Sequence, residues 1–412
     1  MHDGLAAERS SFFPQPAPRA PASRRRVSSV RLVTALAIML LLVASPPARA
    51  QGGILAQGVI DAEMWKTDSM SVLLARNGGR PGAMARLGFW AAVEPWRDVV
   101  VFGQLSAETG PGRREEGSEI YVTQYGTRWS PSDAFVVEAG KMSHVVGTFS
   151  SRHLSFRNPL IGAPDGYSLV YPFGVKVSGS ASVFDWRIAA LSKPLTHEGY
   201  TVDPSPAVRP AIGAGITPFT GFRLGASATV GPYLTRDLAP TLLAGRSWRS
   251  YQQRLVAADM QLSRGYFESF AELAHGSYDV PGGERKAGLT WYVETKYTFT
   301  PRLYGAVRVE RNDYPYIMPL NDAVWIADKS DFTDVEAGAG VRLTSSTLLK
   351  LSVRADHWVP NPNPFAPQSS GRALAVQLSR TFDVMEMARP LRLRDASATP
   401  GFRTSARSAG TR

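Results

Sequence analysis

From residue 51 onward the chain alternates between apolar and polar residues, and that period decides what it can fold into. In residues 221–231, Phe222, Leu224, Ala226, Ala228 and Val230 fall on one face, with Arg223, Ser227 and Thr229 on the other. Residues 333–343 repeat the pattern, with Val335, Ala337, Ala339, Val341 and Leu343 opposite Glu336 and Arg342. Residues 348–356 do so again, with Leu349, Leu351, Val353 and Ala355 opposite Lys350, Arg354 and Asp356. Successive side chains of a strand point to opposite faces, so a period of two means strands with one wet side. Gly338 and Gly340 place small residues on the wet side, which reads as a side facing open space. A helical membrane bundle is excluded separately, because no run of about 18 apolar residues occurs.

The connections between strands are sorted by length. Short polar turns sit at 94–98, 130–133, 180–182, 217–220, 263–265, 300–302 and 345–347. Longer segments lie at 66–82, 108–118, 143–169, 193–206, 232–249, 277–287, 312–332 and 358–371. Fifteen connections join about sixteen strands, expected near 54–65, 83–93, 99–107, 119–129, 134–142, 170–179, 183–192, 207–216, 221–231, 250–262, 266–276, 288–299, 303–311, 333–344, 348–357 and 372–382. Short turns at one end and long loops at the other are the signature of an all-β fold, a transmembrane antiparallel up-and-down β-barrel, with turns in the periplasm and loops outside the cell. A soluble sandwich has no reason to sort its loops this way.

Side-chain placement agrees. Trp65, Tyr125, Trp129, Trp186, Tyr297 and Phe382 fall near strand ends and read as outward-facing girdle residues. Asp61, Arg86, Gln104, Arg223, Asp259, Gln261, Glu294, Lys296, Arg308, Glu310, Arg342 and Arg354 alternate with apolar neighbours. A charge facing lipid at the bilayer midplane costs about 2–4 kcal/mol, so these residues are assigned to a water-filled lumen.

The formal net charge of +11 suggests nucleic acid until it is located. Residues 1–50 carry seven arginines against Asp3 and Glu8, and residues 383–412 carry six against Asp383, Glu386 and Asp395. The body between has little excess and no basic stripe, so a nucleic-acid partner is not expected. The N-terminal charge belongs to an export signal at 1–50. Arg24, Arg25, Arg26 and Arg31 precede an apolar stretch at 35–44, and Ala48, Arg49 and Ala50 form the cleavage site. The barrel then spans 51–382. The tail 383–412, rich in Arg, Ala and Ser, reads as disordered. The chain holds no cysteine, which excludes a disulfide scaffold and a thiolate metal site.

Residues 127–179 contain a strand ending at Trp129, the turn SPSD, the segment FVVEAGKM, a long loop and YPFGVKVSG. With the barrel pattern, this stretch resembles Gram-negative outer-membrane porins, and in particular phosphate-selective porins of the O/P type. The final strand GRALAVQLSRTF, with Leu374, Val376, Leu378 and Phe382 on one face, resembles the C-terminal signal read by the barrel-assembly machinery. The resemblance implies an outer-membrane location, contact with outer-membrane lipid and a homotrimer. It also implies a third loop, here 143–169, folded into the lumen as a constriction carrying Arg152, His153, Arg157 and Asp165. Phosphate selectivity is not carried over.

Catalytic sets are not found. The histidines are scattered, with no H-E-x-x-H spacing, and neither a G-x-S-x-G elbow nor a P-loop occurs. His144 and His153 share the long loop and read as solvated loop histidines. No enzyme activity, cofactor or metal is therefore expected. The function expected is a channel for small hydrophilic solutes; the alternative is a barrel enzyme or adhesin acting through its outer loops. Lumen-facing Arg86, Arg128, Lys176, Arg223, Lys296, Arg308, Arg342, Lys350 and Arg354 are expected to outnumber lumen acids slightly. Two readings follow. Arg152 and Arg157 give a mild anion preference, or the arginines pair with Glu138, Glu310, Glu336 and Asp356 across strands and leave a neutral pore.

Overall fold

The computed structural model describes residues 54–384, apart from 70, 72–73, 75–76, 111–117, 166–170, 193–206, 235, 244, 322–323 and 362–368. The signal segment 1–50 and the tail beyond 384 lie outside the described residues. The strands are β1 (Ile54–Thr67), β2 (Gly82–Trp96), β3 (Val99–Thr109), β4 (Ser118–Ser132), β5 (Phe135–Lys141), β6 (Phe173–Ala181), β7 (Phe184–Leu191) and β8 (Arg209–Phe219). They continue as β9 (Phe222–Pro232), β10 (Gln252–Arg264), β11 (Phe267–Tyr278), β12 (Lys286–Thr298), β13 (Leu303–Asn321), β14 (Val324–Arg342), β15 (Thr347–Trp358) and β16 (Gly371–Asp383). Each pairs antiparallel with its sequence neighbours, and β1 pairs with β16 to close the barrel. Closure removes every free edge from the wall. At the seam Gly58 lies opposite Phe382, where a Cβ would overlap the Phe382 ring.

The outer face is apolar along every strand. Ile60, Ile188, Ile212, Val256 and Val353 are each at least half exposed, and their even or odd neighbours are buried on the inside. An unbroken apolar band of this extent is a membrane-contact surface. Aromatic rings gather at its short-turn end. Trp129 packs edge-on to Phe135, Phe219 stacks on Phe222, and Tyr297 meets Phe299, with ring centroids 5.1–6.0 Å apart.

Three expectations are corrected. Trp65 faces inward, because it shares the parity of Asp61 and Glu63. Its indole N–H donates to Glu63 at 2.9 Å, and its ring packs with Leu74, Met84, Ala373 and Ala375. Second, the long loop at 312–332 is largely sheet, since β13 and β14 continue pairing beyond the barrel wall. Pro315 and Pro319 lie in this stretch, where a central strand would not tolerate them. However, β12 stops pairing with β13 at Asp313, so beyond it β13 is an edge strand that tolerates proline. Third, the small inward residues do not face open space. A Cβ at Gly340 would overlap the Tyr304 ring, and one at Gly338 would press on Leu160 of the long loop.

The face assignment predicts a difference between two variants at one mid-strand position. Ala226→Leu should fold into lipid vesicles as the parent does. Ala226→Arg should lose about 2–4 kcal/mol of folding stability in urea titrations. Equal stabilities would show that this side of β9 does not meet lipid.

Candidate functional site

The loop between β5 and β6 turns into the barrel and lies against the inner wall. Apolar side chains begin its path. Val145 packs with Ala189, Leu191 and Ala211 of β7 and β8, and Val146 packs with Leu255, Ala274 and Tyr292 of β10–β12. Both valines are almost wholly buried. His144 is buried too, rather than solvated, and its Nδ1 accepts the Val146 N–H at 2.9 Å.

Polar contacts then hold the loop around the wall. The N–H and hydroxyl of Thr148 both donate to Glu272 of β11, at 2.9 and 2.7 Å. Arg152 donates to Glu294 of β12 at 2.6 Å, and its guanidinium lies 3.7 Å from the centre of the Phe270 ring. Ser155 donates to Asp61 of β1 at 2.6 Å. Phe156 stacks on Trp90 of β2 with centroids 5.8 Å apart. The Lys350 ammonium on β15 donates to the carbonyls of Ser155, Asn158 and Leu160 at 2.8–3.1 Å. The Ile161 and Gly162 N–H groups donate to Glu336 of β14, and that of Asp165 donates to Glu310 of β13. Backbone groups that would be stranded in the lumen are thus met by wall charges, which satisfies the requirement that buried polar groups be paired.

The wall charges also pair with one another. Arg308 bridges Glu294 at 3.2 Å and Glu336 at 2.6 Å, and all three are essentially buried. Arg354 joins Asp334 at 2.8 Å and Glu310 at 3.4 Å, and contacts Asp165. The carboxylates of Asp165, Glu310 and Asp334 converge within 4.8 Å of one another, with Arg354 as their counter-charge. Elsewhere Arg86 lies 2.7 Å from Glu108 and 3.4 Å from Glu63, and Lys296 pairs with Glu268 at 2.7 Å. Arg223 bridges Asp185 and Asp259. Arg128 stands 3.9 Å from Glu138, which Lys176 contacts closely. Arg342 shares the inward parity but is exposed at the short-turn end of β14.

The expected excess of lumen cations is therefore not what the wall presents. Acids missed in the sequence count, among them Glu63, Glu108 and Glu272, lie on the same face and match the bases. Cross-strand pairing holds for Glu138, Glu310 and Glu336. Asp356 differs: it accepts from Trp358 Nε1 at 2.7 Å and from the Gly371 N–H at 2.6 Å.

Of the four loop residues singled out, the structure places two in the tether and two elsewhere. Arg152 and Asp165 are bound to the wall. His153 packs against Tyr171, with Nδ1 2.7 Å from the Ser150 carbonyl oxygen. Burial pushes its imidazole down to about 4, against that hydrogen bond, so it is neutral at neutral pH. Arg157 is exposed; it donates to the Ser151 carbonyl at 3.2 Å and has no carboxylate partner among the described residues. The loop's contacts leave the β3–β6 side, where a cavity of about 290 Å³ remains, bounded by Arg128, Glu138, Lys176 and the start of the loop.

Lys350 offers a test of the tether. Lys350→Met keeps the bulk of the stem but removes hydrogen bonds from a charged donor, worth about 1.5–3 kcal/mol. Amide exchange in residues 155–162 should rise about 10–100-fold. Unchanged exchange would show that the ammonium does not hold the loop.

No family model matches the chain, and no curated protein matches it. Solved structures match in fold. The trimer form of OmpT, an outer-membrane protein of Vibrio cholerae, is 11% identical with a TM-score of 0.52, covering 81% of this chain and 100% of that one. OmpF of Salmonella typhi in complex with daunomycin is 14% identical with a TM-score of 0.54, covering 80% and 97%. OprB of Pseudomonas putida is 12% identical with a TM-score of 0.54, covering 85% and 97%. At these identities the likeness is one of fold: this chain has the closed barrel found in outer-membrane porins.

Proposed function

We propose that the protein is an outer-membrane channel for passive diffusion of small hydrophilic solutes, narrowed by its inward-folded loop. The observation that carries this reading is the space beside the loop: the wall clasps loop residues 143–165 on most sides, yet the charged lining of β3–β6 stays open. A barrel built only as a scaffold for outer loops has no need of a polar interior passage. The export signal expected at 1–50 would deliver the chain beyond the inner membrane, and the aromatic girdle and apolar band support residence in the outer membrane. Outer-membrane lipid, the barrel-assembly machinery and solutes are the partners this implies, and a homotrimer is the assembly suggested by the similar structure described as a trimer.

Charge selectivity rests on the side chains that remain beside open space. Arg128 and Lys176 stand with Glu138 beside that cavity, and Arg157 is exposed on the loop, which together favour small anions mildly. Fields focus in a narrow passage between low-dielectric walls, and at physiological salt only charges within about 8 Å of the path act on a solute. Arg152, paired with Glu294, acts instead by holding the loop.

Planar-bilayer recording tests this directly. The protein should give steady ion conductance, with a reversal potential under a KCl gradient displaced toward that of chloride. Arg157→Ser should move the reversal potential toward cations with little change in the loop. Arg152→Ser should loosen the loop and raise conductance and current noise. A barrel that never conducts would favour an enzyme or adhesin acting through outer loops.

Orientation has its own test. Tags near Gly282 or Asn361 should be labelled on intact cells, whereas a tag at Ser346 should be protected until the outer membrane is permeabilised. Labelling at Ser346 on intact cells would invert the barrel.

A further inference from the structure

The cavity beside the loop has a composition that a simple water passage does not require. Its walls carry Phe102, Val100 and Met142 together with Arg128, Lys176 and Glu138. The register places glycines beside the Phe102 ring. Phe102 lies opposite Gly126, Gly126 opposite Gly140, and Gly140 opposite Gly174, so three neighbouring strands carry no side chain on the rung beside the ring. Gly140 has φ of 137°, and a Cβ there would strike the backbone of β4, so a larger residue is excluded. The next rung toward the short turns reads Val100, Arg128, Glu138 and Lys176 across the same strands. The aromatic ring and the charged row thus lie on neighbouring same-face rungs.

The charged row is not self-cancelling. Glu138 is in close contact with Lys176 but stands 3.9 Å from Arg128, whose side chain is 49% exposed. Two cations face one carboxylate, which leaves one positive charge, on a guanidinium whose planar fork suits a carboxylate. Phe102, Val100 and Met142 supply an apolar surface a few ångströms away. An inorganic anion would gain nothing from that surface, and a dianion would meet only one spare cation. The volume, near the lower limit of about 300 Å³ for small-molecule sites, suits one ring rather than two.

We propose that this niche is a binding site for small aromatic monocarboxylates, with the ring against Phe102, Val100 and Met142 and the carboxylate on Arg128. The proposal rests on the channel reading for its route of access, but binding itself can be measured without conduction. The probes are benzoate, acetate, which lacks the ring, and benzyl alcohol, which lacks the charge. In planar bilayers, benzoate should interrupt the KCl current transiently and saturably, while acetate and benzyl alcohol at equal concentration should not. Phe102→Ala and Arg128→Gln should each raise the half-blocking concentration about tenfold, as expected for loss of one strong contact. Phe102→Leu, which keeps most of the bulk, should fall between. Equilibrium dialysis of labelled benzoate against the detergent-solubilised barrel runs in parallel. Absence of KCl conductance with saturable, Arg128-dependent benzoate binding would overturn the channel and keep the site. Conductance in which benzoate and acetate act alike, or dialysis without saturable binding, would overturn the site and keep the channel.

Discussion

Loop residues 143–165 bring a run of backbone N–H and C=O groups into the middle of a barrel, and the wall must answer them. It does so with fixed charges: Glu272, Glu336 and Glu310 accept N–H groups, and Lys350 gathers three carbonyls. Each of these charges is itself buried, which is costly unless it is paired and hydrogen-bonded. Arg308 pairs with Glu336, Arg354 pairs with Glu310, and the Tyr292 hydroxyl donates to Glu272, so wall and loop form one network. Removing one member strands another, and the position of the loop, the bore of the lumen and the charges left facing it all follow from this mutual satisfaction.

The arrangement divides the lumen by role. On β11–β15, Glu272, Glu294, Glu310, Glu336 and Lys350 are consumed in holding the loop and have little left for a passing solute. On β3–β6 the charges are paired more loosely and remain beside open space. An arginine's place in sequence does not reveal its role; Arg152 and Arg157 lie in one loop, yet one is clamped to Glu294 and the other is exposed. The difference arises from the wall opposite each residue, which is brought there by closure of the barrel.

Much of the architecture was legible because period-two alternation is a local property. Sixteen strands, their polar faces and the sorting of turns can each be read within ten residues. What failed depended on contacts between distant segments. Trp65 reads as a girdle residue by type, yet its parity with Asp61, two pleats away on β1, sets it on the inner face. The β13–β14 extension depends on where β12 stops, which leaves Pro315 and Pro319 on an edge strand. Gly338 and Gly340 read as facing open water, whereas they make room for Leu160 and Tyr304. A denser signal was present in the mixed charges on the inner faces of β12–β15, more than a channel lining needs, which point to a partner inside the barrel.

Whether the loop occupies the lumen in the membrane is the claim on which the rest turns. The chain has no cysteine, so two introduced thiols report without background. Ser155 of the loop donates to Asp61 of β1, and Asp61 lies opposite Ser379 of β16. Cross-linking of Ser155→Cys to Ser379→Cys by a short bifunctional thiol reagent, in native outer membranes, measures that position directly. The account predicts an efficient intramolecular cross-link that leaves single-channel conductance near that of the uncross-linked protein, because the loop already rests there. Failure to cross-link, with both thiols shown to react singly, would place the loop outside the lumen and contradict it.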